Sequence, residues 1–182
     1  MRAIITIVVI FFIIFLGVLI FGHRGKSPST TPVKHLADYA STDVQMQLTT
    51  QGQINGDDVH REIVVTIGRT QRTISVIQGY QGNVLKSESL ANNQNAYSAF
   101  LSSLDVAGYT KVHKSKYTTE AGQCPLGQRF IYEIINNGND NMHTWSTSCG
   151  GSATFGGQTS TVQQLYQNQI TNYDDFTADV NL

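Results

Sequence analysis

Arg61-Glu-Ile-Val-Val-Thr-Ile-Gly-Arg-Thr-Gln-Arg-Thr-Ile-Ser-Val-Ile77 decides the fold class of this 182-residue chain. Ile63, Val65 and Ile67 alternate with Glu62, Val64 and Thr66. After Gly68-Arg-Thr-Gln71 the pattern resumes, with Ile74 and Val76 set against Thr73, Ser75 and Ile77. A strand sends successive side chains to opposite faces, so alternating β-branched residues predict two strands. Gly79-Tyr-Gln-Gly82 then turns the chain toward a short third strand over 83–88.

Downstream the period lengthens to that of a helix. Asn92 or Asn93 can cap it, Tyr97, Phe100, Leu101 and Leu104 form its apolar stripe, and Gly108 supplies a stop. Residues 111–123 are irregular and basic. The segments 128–135 and 142–148 read as a second hairpin joined by Asn136-Asn-Gly-Asn-Asp-Asn141, with Phe130, Tyr132 and Ile134 on one face and Trp145 on the return strand. A glycine-rich loop over 150–157 leads to a last helix. Ser160 and Gln163 stand at capping-box spacing there, and Val162, Leu165, Tyr166, Ile170 and Tyr173 make its apolar side. The order βββαββα predicts an α+β fold: an antiparallel sheet of about five strands with two helices on one face.

Toward the N-terminus, residues 35–58 are weakly patterned and end in the turn signal Asn55-Gly-Asp-Asp58. They are compatible with irregular chain or with an added edge strand. Ser27-Pro-Ser-Thr-Thr-Pro32 holds two prolines, which exclude a continuous helix. Residues 27–58 are therefore expected to be a linker, partly irregular, ahead of an α+β domain over 59–182.

Before the linker stand about 19 uncharged residues from Ala3 to Phe21, close to the roughly 20 that cross a bilayer as a helix. The run is longer than a signal-peptide core, no Ala-x-Ala triplet follows, and it is apolar all round. Residues 1–26 thus predict a single-pass transmembrane anchor, flanked by Arg2 on one side and Arg24 and Lys26 on the other. Those flanking charges slightly favour an outward N-terminus, although a long following domain can translocate regardless of them.

Composition and cysteines set the expected orientation. Of the 12 Lys and Arg, Arg2, Arg24 and Lys26 precede Ser27, leaving nine against 13 Asp and Glu. The domain is mildly acidic, without the clustered basic excess of a nucleic-acid binder, so no nucleic-acid partner is expected. Cys124 and Cys149 are the only cysteines, and an even pair behind an export-type N-terminus predicts one disulfide. Folding back the second hairpin brings them to its open end. This pairing implies an extracytoplasmic domain with the N-terminus inside.

Few constellations suit chemistry. Trp145-Ser-Thr-Ser-Cys149 resembles the Thr-x-x-Thr-Cys strand of sortase-family transpeptidases over five residues. That family needs a His for the thiolate and an Arg after the Cys, and no Arg or Lys follows Arg129 here. A cell-envelope cysteine hydrolase or transpeptidase using Cys149 is therefore the alternative reading. His113 and His143 lack metal-ligand spacing, an Asn-Gly turn explains 136–141 better than a calcium loop, and Gly157 stands where a phosphate-binding loop needs Lys. Neither a metal nor a cofactor is expected. Lys111, His113, Lys114 and Lys116, interleaved with Tyr109 and Tyr117, form the one local basic cluster. They are a candidate contact for an anionic partner such as a cell-wall glycan or a lipid headgroup.

Across 61–80, Cys124-Pro-Leu-Gly-Gln-Arg-Phe-Ile-Tyr-Glu133 and Trp145-Ser-Thr-Ser-Cys-Gly150, the chain resembles single-pass membrane-anchored proteins of candidate-phylum bacteria of the Saccharibacteria type. The resemblance implies a bacterial cell-surface location and assigns no catalytic or binding residue. The expected function is a membrane-tethered extracytoplasmic binding or scaffolding domain, non-enzymatic, with the bilayer and a cell-envelope polymer or protein as partners.

Overall fold

Six strands form one antiparallel sheet in the computed structural model, which describes residues 35–182 apart from 137 and 152. They are β1 (Gln45–Gln51), β2 (Arg61–Ile67), β3 (Gln71–Gln78), β4 (Asn83–Ala91), β5 (Arg129–Asn136) and β6 (Asn139–Thr147). Their spatial order is β4-β3-β2-β1-β5-β6. Three helices accompany them: α1 (Gln94–Val106), α2 (Thr159–Gln167) and α3 (Tyr173–Thr177). The fold is α+β, as expected. The expected anchor over 1–26 lies outside the described residues, and among the described residues no helix is long and apolar enough to cross a membrane.

The register explains the core. Met46 stands between Ile67 and Ile134, Leu48 between Val65 and Tyr132, and Val65 also faces Ile74. These side chains share one face and are buried together with Tyr97, Phe100, Leu101 and Leu104 of α1 and Val162 and Tyr166 of α2. Each large apolar side chain so buried contributes about 1.5–3 kcal/mol over exposure. The other face carries Gln47, Thr49, Gln51, Glu62, Thr66, Thr73 and Ser75, which follows from the same alternation.

The expectation of about five strands is corrected to six. The missing one, β1, sits in the sheet interior rather than at an edge, in the segment read as linker. Its sequence, Gln-Met-Gln-Leu-Thr-Thr-Gln, is faint because only Met46 and Leu48 face the core strongly. Long-range pairing with β2 and β5 supplies what local propensity lacks. Just ahead of it, a 3-10 turn over Leu36–Tyr39 buries Leu36, whose backbone N–H donates to Asp105 Oδ2 at 3.1 Å.

The first helix starts as its sequence implies. Asn93 Oδ1 accepts from the N–H of Ala96 at 3.0 Å, satisfying one of the free donors of the first turn. Gly108 ends it at φ 76°, a left-handed conformation that Gly reaches without a Cβ clash. The last helix is a second correction. Gln158, not Ser160, precedes α2, without a side-chain cap, and the chain breaks after Gln167 before α3 begins at Tyr173. Ile170 lies in that break yet remains buried, so the apolar stripe is satisfied by two short helices instead of one.

Candidate functional site

The second hairpin closes at its open end as its spacing implies. Cys124 and Cys149 form a disulfide with Cα atoms 5.7 Å apart. Ser148 Oγ accepts from the N–H of Gln128 at 2.9 Å, tying both cysteine-bearing segments together. Gly127 is required beside them, since a Cβ there would meet Ser148 Oγ at 2.5 Å and Cys124 Sγ at 2.6 Å. With both sulfurs bonded, Cys149 offers no thiolate to a substrate, and among the described residues no cysteine is free.

The irregular segment after α1 crosses the helix-free face of β5 and β6. Two anchors hold it. At the middle of the strands, His143 on β6 reaches Glu120 Oε2 through Nε2 at 3.1 Å and Glu133 Oε1 through Nδ1 at 2.9 Å. At the start of β5, the guanidinium of Arg129 donates to Gln123 O, to Gln51 Oε1 at 3.0 Å and to Gly52 O at 2.6 Å. Between these anchors lie Ile131 and Trp145, an opposed pair in the strand register, both buried. The segment is stapled down again where Pro125 O accepts from the N–H of Ile54 at 2.8 Å.

The His143 anchor extends across four strands. Glu133 Oε2 accepts from Gln47 Nε2 at 2.7 Å, and Gln47 Oε1 accepts from Thr66 Oγ1 at 3.0 Å. Hydrogen bonds donated by the ring to Glu120 and then to Glu133 raise the His143 pKa from 6.5 to about 10, against partial burial. The imidazolium in turn holds Glu120 below the ordinary carboxylate range. His143 is thus a cation near neutrality with both nitrogens occupied. That makes it a clamp; it is not free to act as a base or a metal ligand. Among the described residues no cluster of His, Cys, Asp and Glu can hold a metal ion.

Lys111, His113, Lys114 and Lys116 are all exposed on the first part of the same segment. The backbone of residues 111–113 is paired to the loop after β6. Val112 bridges to Phe155, Gly156 N donates to Lys111 O at 2.8 Å, and His113 N donates to Thr154 O at 2.8 Å. Phe155 stacks on Tyr132 in the core with ring centres 3.8 Å apart. Lys116 Nζ sits 5.5 Å from the Tyr117 ring. Lys111 and His113 therefore stand on supported backbone, Lys114 and Lys116 follow on exposed chain, and among the described residues no carboxylate forms an ion pair with these lysines.

Sequence reasoning missed two parts of this arrangement. One is the Glu120–His143–Glu133 clamp. The other is His60, fully buried, stacked on Tyr80 at 4.2 Å with Nδ1 2.9 Å from Gln53 O, which fixes the loop between β1 and β2. Neither has a spacing motif to announce it. A scan against protein-family models finds no match for this chain, and a search of curated proteins finds none.

Proposed function

We propose that this chain is a membrane-tethered extracytoplasmic domain that binds or scaffolds at the cell envelope without catalysing a reaction. One observation carries the reading: the disulfide between Cys124 and Cys149. Disulfides persist in oxidising compartments and are rare where glutathione and thioredoxin act. Behind an uncharged run of membrane-spanning length, such a staple favours a domain outside the cytoplasm. The resemblance to single-pass proteins of Saccharibacteria-type bacteria is in keeping with it.

The partner is an anionic cell-envelope polymer, or a protein presenting similar charge, met by Lys111, His113, Lys114 and Lys116. Backbone pairing to Phe155 and its neighbours pre-orders Lys111 and His113, which lowers the entropy lost on binding there. The rival reading, a hydrolase or transpeptidase using Cys149, requires a thiolate that the disulfide removes.

Differential thiol labelling tests the reading. Cells making the full chain are quenched in acid, free thiols are blocked with a light maleimide, and thiols released by reduction take a heavy one. Both cysteines are expected to carry only the heavy label. Light label on both places the domain in a reducing compartment and reinstates Cys149 as a nucleophile.

A further inference from the structure

Ile131 and Trp145 lie on the sheet face that carries no helix, yet they are only 5% and 0% exposed. The chain between His113 and Gln123 covers them. It leaves the β6 edge where the His113 N–H donates to Thr154 O, reaches His143 through Glu120, and comes down at Arg129 through Gln123 O. Passing from His143 to Arg129 takes it across the row that holds Ile131 and Trp145.

This cover is thinly attached. Residues 114–122 make a single polar contact with the sheet, from Glu120 Oε2 to His143 Nε2 at 3.1 Å. Their other hydrogen bonds are local, such as Tyr117 N to Ser115 Oγ and Gln123 N to Glu120 O. None of them joins the hydrophobic core, and all but Ser115 and Glu120 are exposed. Segments with so few buried contacts open at far lower free energy than the whole fold. Trp145 adds to this. Its indole N–H is buried without a hydrogen-bond partner, and opening returns that donor to water.

We infer that residues 114–122 form a strap that opens as a unit when the Glu120–His143 pair is released, uncovering Trp145 and Ile131. The hinges are His113, the last residue with paired backbone, and Gly122, which turns at φ 74°. Acid is the trigger. His143 is faced by Glu120 from the strap and by Glu133 from β5, and Arg129 also feels the Glu120 charge. The imidazolium holds the Glu120 carboxyl below its ordinary value, so the strap stays closed until pH falls below the usual carboxylate range. Protonation then removes the one charged contact and leaves His143 and Arg129 as cations facing a strap that carries Lys114 and Lys116. The inference is independent of the tether and of the compartment.

Trp145 is the only tryptophan, so its fluorescence reads the strap directly. Acrylamide quenching of the full chain in a non-ionic detergent tests the inference, with far-UV circular dichroism on the same samples. At neutral pH, Glu120→Gln and His143→Gln are each expected to raise the quenching constant about threefold with dichroism unchanged, the size set by one partly exposed ion pair. The double variant is expected to add little to either, because both remove the same contact. Lys116→Gln, on the strap but outside the pair, is expected to change nothing. In wild type, quenching is expected to rise on acidification ahead of any change in dichroism, and Glu120→Gln is expected to lack that step. Should a variant fail to fold, the wild-type titration decides alone. Wild-type quenching that rises only with loss of dichroism, Glu120→Gln quenching equal to wild type, or a double variant equal to the product of the singles would overturn the strap.

Discussion

Replacing His143 by Gln is expected to remove most of the alkaline fall in stability of a fragment spanning 35–182. The raised pKa, about 10 against an ordinary 6.5, means that the folded state holds a proton which the unfolded chain releases. The resulting stabilisation is complete below pH 6.5 and declines as pH rises toward 10. A shift of that size corresponds to roughly 5 kcal/mol at about 1.4 kcal/mol per unit. The His143 side chain, however, is 38% exposed, so solvent screening cuts the contribution to on the order of 1–2 kcal/mol. Urea unfolding at about pH 6 and about pH 9.5 reads the difference directly. The window stops below 10 because burial raises the Tyr97, Tyr109 and Tyr166 pKa values, and ionisation of those phenols in the unfolded chain adds its own slope above it. Wild type is expected to lose about 1–2 kcal/mol across the window while His143→Gln stays nearly flat. Equal slopes would refute the clamp.

On the acid side, Glu120 contributes stability above its ordinary value of 4.5 that is lost as pH falls through its lowered one; His143→Gln is expected to shrink that limb as well, read by acid unfolding. Tyr109→Phe removes a buried hydroxyl lying 2.9 Å from Gln47 O, 3.0 Å from Glu133 O and 2.8 Å from Tyr166 Oη, at an expected cost of about 1–3 kcal/mol by chemical denaturation. Gly157→Ala drives a Cβ to 2.6 Å from Gly108 O and 2.9 Å from Ala107 O, both backbone atoms joining the end of α1 to the start of α2. A loss of about 1–3 kcal/mol is expected, and a neutral result would show that this junction shifts freely. Substituting both cysteines by Ser opens a ring with a sequence separation of 25 and is expected to cost about 3 kcal/mol by the same assay.

The β2–β3 hairpin was legible because each strand alternates apolar and polar residues over its own length, and α1 because its cap and stripe are local. By contrast, five of the seven residues of β1 are Gln or Thr, and its place between β2 and β5 depends on partners far along the chain. The end of the chain misled for a related reason: Ile170 and Tyr173 continue a helical spacing, but they reach the core from a break and from the start of α3.

The site divides along the same line. The disulfide could be read because one hairpin brings both cysteines together, and the lysine strip because it is contiguous. The clamp draws Gln47, Glu120, Glu133 and His143 from distant segments, with Gln47 and Glu133 separated by 86 positions. Only the even spacing that places His143 and Trp145 on one strand face hints at it. An isolated His on a polar face carries no such meaning until the opposing carboxylates are in place.

Protease accessibility on intact cells tests the central claim, that the folded domain stands outside the membrane. A tag is placed after Leu182, and an external protease able to cut within 27–34 is added to cells producing the full chain. Release of the tagged domain while a cytoplasmic reporter stays intact is the expected result. Retention of the tag until the cells are lysed would contradict it.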